Sequence, residues 1–150
     1  RVLPGLRWPP AAEALARRYW PGPLSIVVPC DDPPPGLAGP GGGVALRATP
    51  DPVAAAIVRR AGRLTSTSAN RHGEPTPRTA AEAAACVQDR PDLDEEMRGC
   101  PVLVVDGGPR GAQPPSTVVS VLGRHVRVLR EGPISRDAIE RALMEAERDG

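Results

Sequence analysis

Four places along this sequence carry side chains able to hold an oxyanion. The stretch Leu64 to Pro75, LTSTSANRHGEP, sets Thr65, Ser66, Thr67 and Ser68 in a row, adds the amide of Asn70, and is flanked by Arg63 and Arg71. Short hydroxyls and an amide offer closely spaced donors and acceptors to phosphate or carboxylate oxygens. Guanidinium groups add fixed charge and forked donors. Elsewhere, Arg47 follows a short apolar run, Ser116 opens another, and Arg130 closes a third. Singly, each has an ordinary explanation: Ser, Thr and Asn are turn formers, and an arginine at a strand end is most often a weak surface ion pair. Together they describe a pocket in which arginines meet phosphate or carboxylate and hydroxyls orient it.

Other chemistries are poorly served. Asp106-Gly107-Gly108 follows an apolar run but precedes no helical pattern, so neither the dinucleotide fingerprint nor the P-loop is satisfied. Cys30, Cys86 and Cys100 are odd in number and widely spaced. They argue against a disulfide framework and a zinc site, and fit a reducing cytoplasm. His72 and His125 are too scattered to complete a metal cluster, and His72 reads as a loop residue rather than the base of a Ser-His-acid set. The paired Glu95 and Glu96 lie in a polar acidic stretch that reads as a solvated face. A net charge of +1 gives no bulk argument for nucleic acid. The cation type says more: all 19 basic residues are Arg and none is Lys, so lysine chemistry has no source within this chain. Phe is also absent, which leaves the core to Val, Leu, Ile and Ala with Trp8, Trp20 and Tyr19.

The elements that must position these side chains follow from periodicity and punctuation. A length of 150 residues predicts one domain. No apolar run approaches the roughly 20 residues of a membrane span, and the start does not resemble a signal peptide. A helix is expected from Pro10 or Ala11 to Trp20, stopped by Pro21-Gly22-Pro23. Leu24 to Val28 reads as a buried strand, and Pro29 to Gly43 as a Pro- and Gly-rich surface loop. Val44 to Arg47 alternates as a short strand, and places Arg47 at a strand end, where open α/β sheets gather ligands. Asp51 as N-cap, Pro52 at the first position and Gly62 past the end frame a second helix with an apolar stripe of Val53, Ala56, Ile57 and Ala61.

Thr79 and Glu82 form a capping box for an alanine-rich helix to about Gln88, followed by the acidic stretch Asp89 to Arg98. Val102 to Val105 is continuously apolar and is expected as an interior strand. Ser116 to Leu122 and Val126 to Arg130 read as a hairpin through Gly123-Arg124. Ser135 caps a last amphipathic helix with Ile139 and Leu143 inward. Interleaved helices and strands with an antiparallel pair predict an α/β fold with a mixed sheet.

The segments WPGPLS (Trp20–Ser25), VALR (Val44–Arg47), LTSTSANRHGEP, LVVDGG, PPSTVV and RVLREGPIS occur in an order and spacing that resembles the YrdC family of threonylcarbamoyl-adenylate synthases, from about Leu15 to Ile139. The resemblance implies a twisted mixed sheet with flanking helices and a concave, positively lined cavity. It implies a nucleotidyltransferase that combines L-threonine, bicarbonate and ATP into threonylcarbamoyl-AMP and pyrophosphate, for modification of the adenosine beside the anticodon in tRNA. By match to the motifs, Arg47, Ser66 and Ser116 line the threonine pocket, with Arg47 and Ser116 nearest the chemistry. Ser68, Thr76 and Arg130 contact ATP, and Asn70 shapes the turn around them. Mg²⁺ shares the phosphate charge, and no protein nucleophile is required.

The family pattern also holds an N-terminal Lys-x-Arg motif that nothing here matches. On that ground the chain is expected to start inside the pattern and to make little adenylate alone. Ser25 and Thr49 stand where the family has Thr and an apolar residue. Two alternatives remain open: a double-stranded RNA-binding module, since Arg-rich surfaces suit phosphate backbones, or an inactive remnant or part of a larger carbamoyl-transfer protein.

Overall fold

Proline presets the backbone for a first helical turn, and helix α1 occupies Pro10–Tyr19 with proline at its start. Ala12 and Leu15 are buried, and Tyr19 packs at the edge of the core. Strand β1, Leu24–Pro29, follows at once. Its alternation buries Leu24, Ile26 and Val28 among the core residues. Strand β2 is Gly43–Leu46, with Val44 buried and Ala45 exposed, as its pattern predicts. Between the two strands, Cys30 is buried and bridges Leu6, so the loop begins tethered.

A computed structural model describes residues 3–34, 36–39, 41–70, 73–88, 102–109, 111, 114–123 and 125–149. The acidic stretch from Asp89 to Arg98, together with Arg71, His72 and Arg124, lies outside the described residues. The chain divides into two units, one from Arg1–Arg63 with Pro114–Gly150 and one from Leu64–Gln113.

In the first unit, helix α2 is Pro52–Ala61. The Asp51 carboxylate accepts from the Ala54 N–H at 2.8 Å, and Gly62 ends the helix at φ 87. Its framing is as expected; no residue of α2 is buried, and Ile57 on its apolar stripe is 40% exposed. Periodicity establishes a helix with an apolar side and says nothing about what covers that side. Strands β3, Thr117–Ser120, and β4, Arg127–Arg130, form the expected antiparallel pair. The sheet order is β2-β1-β3-β4, antiparallel at both outer pairings and parallel between β1 and β3. Helix α4, Arg136–Asp149, starts with the Ser135 hydroxyl accepting from the Ala138 N–H. It buries Ile139 and Ala142, and α1 packs against both α4 and β1. The Tyr19 hydroxyl donates to the Ala138 carbonyl at 2.9 Å and ties the two helices.

In the second unit, helix α3 is Ala80–Gln88. Its capping box forms as the sequence predicts: the Thr79 hydroxyl accepts from the Glu82 N–H, and the Glu82 carboxylate accepts from the Arg78 and Thr79 N–H groups. Val102 to Val105 is not a strand, and Leu103 is 86% exposed. A continuous apolar run states a preference for burial, but a strand also needs a ladder partner, and among the described residues this run has none. Among the described residues, no helix is long and apolar enough to cross a membrane.

Candidate anion-binding site

Strand direction decides which side chains meet. β2 and β4 run against β1 and β3, so their carboxyl ends lie beside the amino ends of the parallel pair. Arg47 follows β2, Ser25 is second in β1, Ser116 precedes β3, and Arg130 ends β4. Each strand therefore brings one polar side chain to the same end of the sheet, in the order cation, hydroxyl, hydroxyl, cation. Arg47 is at a strand end as expected. The row nonetheless lies at the amino ends of the parallel strands, because the arginine-bearing strands run the other way.

Arg130 reaches this row through a bulge. Val119 pairs with Val128 and Val118 pairs with Arg130, which leaves Leu129 as the extra residue. Val128 packs against the core, so strict alternation would turn Arg130 toward the core as well. One inserted residue reverses that alternation. Arg130 then donates from Nε and Nη2 to the Ser116 carbonyl at 3.1 and 2.9 Å, and from Nη2 to Ser116 Oγ at 3.3 Å. Ser116 Oγ in turn lies 3.0 Å from Ser25 Oγ, across the β1–β3 pairing.

A latch beneath the row fixes this clamp. The Thr117 hydroxyl is fully buried; it donates to the Ile134 carbonyl at 2.8 Å and accepts from the Gly132 and Ile134 N–H groups at 3.0 and 3.1 Å. One donor and two acceptor sites are all it has, and all are used. Gly132 must be glycine for reasons of space: a Cβ there would lie 2.3 Å from the Pro115 carbonyl and 2.7 Å from the Thr117 nitrogen. The backbone on both sides of the Ser116–Arg130 contact is thereby pinned.

Arg47 is held differently. Its Nε donates to the Gly22 carbonyl at 3.1 Å, and the Gly22 N–H donates to the Ala48 carbonyl at 3.0 Å. Among the described residues, neither Arg47 nor Arg130 pairs with a carboxylate. Neither guanidinium is thus engaged in an ion pair among the described residues, which suits an anion site.

The remaining candidates lie in the second unit. Ser66, Ser68 and Thr76 are exposed, and Asn70 donates from Nδ2 to the Glu74 carbonyl at 2.7 Å, closing a turn through Gly73 at φ 84. The structure thus joins Ser116 to Arg130 and sets Arg47 at the same sheet end, while Ser66, Ser68, Asn70 and Thr76 belong to the second unit. Ser25, Thr117 and Gly132 were missed as site residues; the one available signal was a lone hydroxyl, Ser25, interrupting the apolar run LSIVV. Among the described residues, no cluster of three His, Cys, Asp or Glu side chains could hold a metal ion.

A family model described as Sua5/YciO/YrdC, telomere recombination, matches residues 3–132. The chain belongs to the Sua5/YciO/YrdC family. It is 35% identical over 138 residues to the threonylcarbamoyl-AMP synthase of Bacillus subtilis, covering 90% of this chain and 37% of that protein. It is 39% identical over 114 residues to the threonylcarbamoyl-AMP synthase of Thiobacillus denitrificans, covering 75% of this chain and 55% of that protein. This chain therefore spans well under two thirds of either family relative. The fold matches the crystal structure of Pyrococcus abyssi Sua5 complexed with L-threonine, with a TM-score of 0.73 at 29% identity, over 91% of this chain and 38% of that one. The mixed α/β sheet anticipated from the sequence is the family's fold.

Proposed function

We propose that this chain, acting as one YrdC-like domain, provides the anion-binding floor of a threonylcarbamoyl-AMP synthase. The synthase is a nucleotidyltransferase that joins L-threonine, bicarbonate and ATP and releases pyrophosphate, working in the cytoplasm for tRNA modification. The observation that carries this reading is the row Arg47–Ser25–Ser116–Arg130, with two guanidinium groups, free of ion pairs among the described residues, flanking two hydroxyls on one sheet end. The names of the family relatives, and the L-threonine bound to the Pyrococcus abyssi protein, support the choice of guest.

In this reading Arg47 and Ser116, with Ser66, hold L-threonine. Arg130, Ser68 and Thr76 meet ATP around the turn that Asn70 closes. The threonine amine takes up bicarbonate with loss of water, and a carbamate oxygen then attacks the α-phosphorus as the bond to pyrophosphate breaks. That attack needs the two guests side by side, and the hydrogen bonds between Arg130 and Ser116 support a reading in which the two subsites adjoin. Mg²⁺ would arrive on the ATP phosphates, since the row offers arginines and hydroxyls rather than carboxylates. The protein positions the guests and stabilises phosphoryl charge.

Calorimetric titration with L-threonine tests this. Binding by the intact chain, weakened about tenfold or more in Arg47→Ala, is the expected result; no binding, or binding indifferent to Arg47, overturns it. With no lysine in this chain to share the phosphate charge, its pyrophosphate release dependent on threonine and bicarbonate is expected to be small. A second reading, contact with double-stranded RNA or tRNA, draws on Arg59, Arg60 and Arg63, which are exposed and without ion pairs among the described residues. A steep fall of RNA affinity with salt would support it.

A further inference from the structure

We propose that Ser25 is a positioning residue that makes the Ser116 hydroxyl a dedicated donor to the bound anion. The inference rests on the L-threonine reading above and adds to it a residue that acts through Ser116. Ser116 Oγ has one proton and two acceptor lone pairs. Arg130 Nη2 donates to it at 3.3 Å and fills one lone pair. Ser25 Oγ lies at 3.0 Å, and among the described residues it has no other side-chain partner. When Ser25 donates, the second lone pair of Ser116 is filled and only its proton is left to offer. An anionic guest selects that arrangement, because a carboxylate accepts and cannot donate.

The reverse arrangement, with Ser116 donating to Ser25, would turn a lone pair toward the carboxylate and repel it. Ser25 thus sets the direction of a hydrogen bond made by its neighbour. Its place on β1 suits the task. Ser25 is opposite Val118 in the parallel register, so it approaches Ser116 from the strand beside it. Leu24 and Ile26 on either side are fully buried, which fixes the backbone that carries it.

The test is a double-mutant cycle on the intact chain, with L-threonine affinity as the readout and circular dichroism as the folding control. Ser25→Ala is expected to weaken L-threonine binding about tenfold, in the range of one hydrogen bond to a charged group. Ser25→Thr, which restores the hydroxyl on a side chain suited to strands, is expected to recover most of that loss. The double variant Ser25→Ala/Ser116→Ala should bind no more weakly than Ser116→Ala alone, because Ser25 acts through Ser116. Wild-type affinity in Ser25→Ala, or additive losses in the double variant, would overturn the positioning role and leave the L-threonine reading standing. Failure of the unmodified chain to bind L-threonine would remove both.

Discussion

Every buried apolar side chain among the described residues belongs to the unit made of Arg1–Arg63 and Pro114–Gly150, and no described residue of Leu64–Gln113 is buried. The first unit places its candidate side chains on strands whose alternate residues are locked in a core. The second places Ser66, Ser68, Asn70 and Thr76 on a stretch outside helices and strands. The first set is carried by a packed sheet; in the second, Asn70 is held by a short-range hydrogen bond to the Glu74 carbonyl. Local hydrogen bonds contribute about 1 kcal/mol each, where core side chains contribute several times that.

The largest expected effect lies in the core. Ile26→Ala removes a fully buried side chain and is expected to destabilise the fold by about 2–5 kcal/mol, read from the urea midpoint. Leu103→Ser, at a side chain 86% exposed, is expected to change the same midpoint by no more than about 0.5 kcal/mol. Equal effects would erase the contrast between the units. Next comes the latch. Thr117→Val keeps the shape but strands the Gly132 and Ile134 N–H groups and the Ile134 carbonyl, at about 2 kcal/mol or more. It should also shift the NMR signal of the Arg130 Nε–H, which the latch holds against Ser116. An unmoved signal would mean that the clamp is independent of the latch.

These two positions also mark how far the sequence could be read. Ile26 was legible, because a short run of apolar residues between turn formers states both its strand and its burial. So were the Asp51 cap, the Thr79–Glu82 box and the Ser135 cap, which are satisfied within a few residues of chain. Arg130 was legible as a strand-end arginine, but the bulge at Leu129 that brings it to Ser116 was not, since a bulge is a property of two paired strands. The same holds for Thr117 and Gly132, whose partners come from a different segment of chain. Val102–Val105 was misread for the complementary reason: an apolar pattern describes one surface and leaves its partner unspecified. The site was readable as a set of residue types, and the geometry that orders three of them into a row came from strand direction.

A smaller effect sharpens the contrast from the other side. Thr79→Ala removes the hydroxyl that accepts from the Glu82 N–H at 3.2 Å, a loss of about 1 kcal/mol at an N-cap. Because α3 belongs to the second unit, amide exchange should quicken within Ala80–Gln88 while the unfolding midpoint of the first unit stays put. A shift of that midpoint would show that the two units unfold together.

The smallest effect is a pH dependence confined to the first unit. The Trp8 indole N–H donates to Glu13 Oε2 at 2.7 Å, and Arg17 Nε donates to Oε1 at 2.7 Å. The Trp8 bond first, and then Arg17, hold the Glu13 carboxyl below its usual range. A carboxyl depressed in the folded state lends stability that is present above its unfolded-state pKa and is lost as the pH falls through the folded-state value. Acid titration from the ordinary glutamate range downward should therefore release Trp8, read as a change in tryptophan fluorescence, with a slight loss of stability in the same interval. Glu13→Gln keeps an acceptor for the indole but cannot titrate, so the acid-side fluorescence step should vanish. Persistence of that step in the variant would assign it to another group.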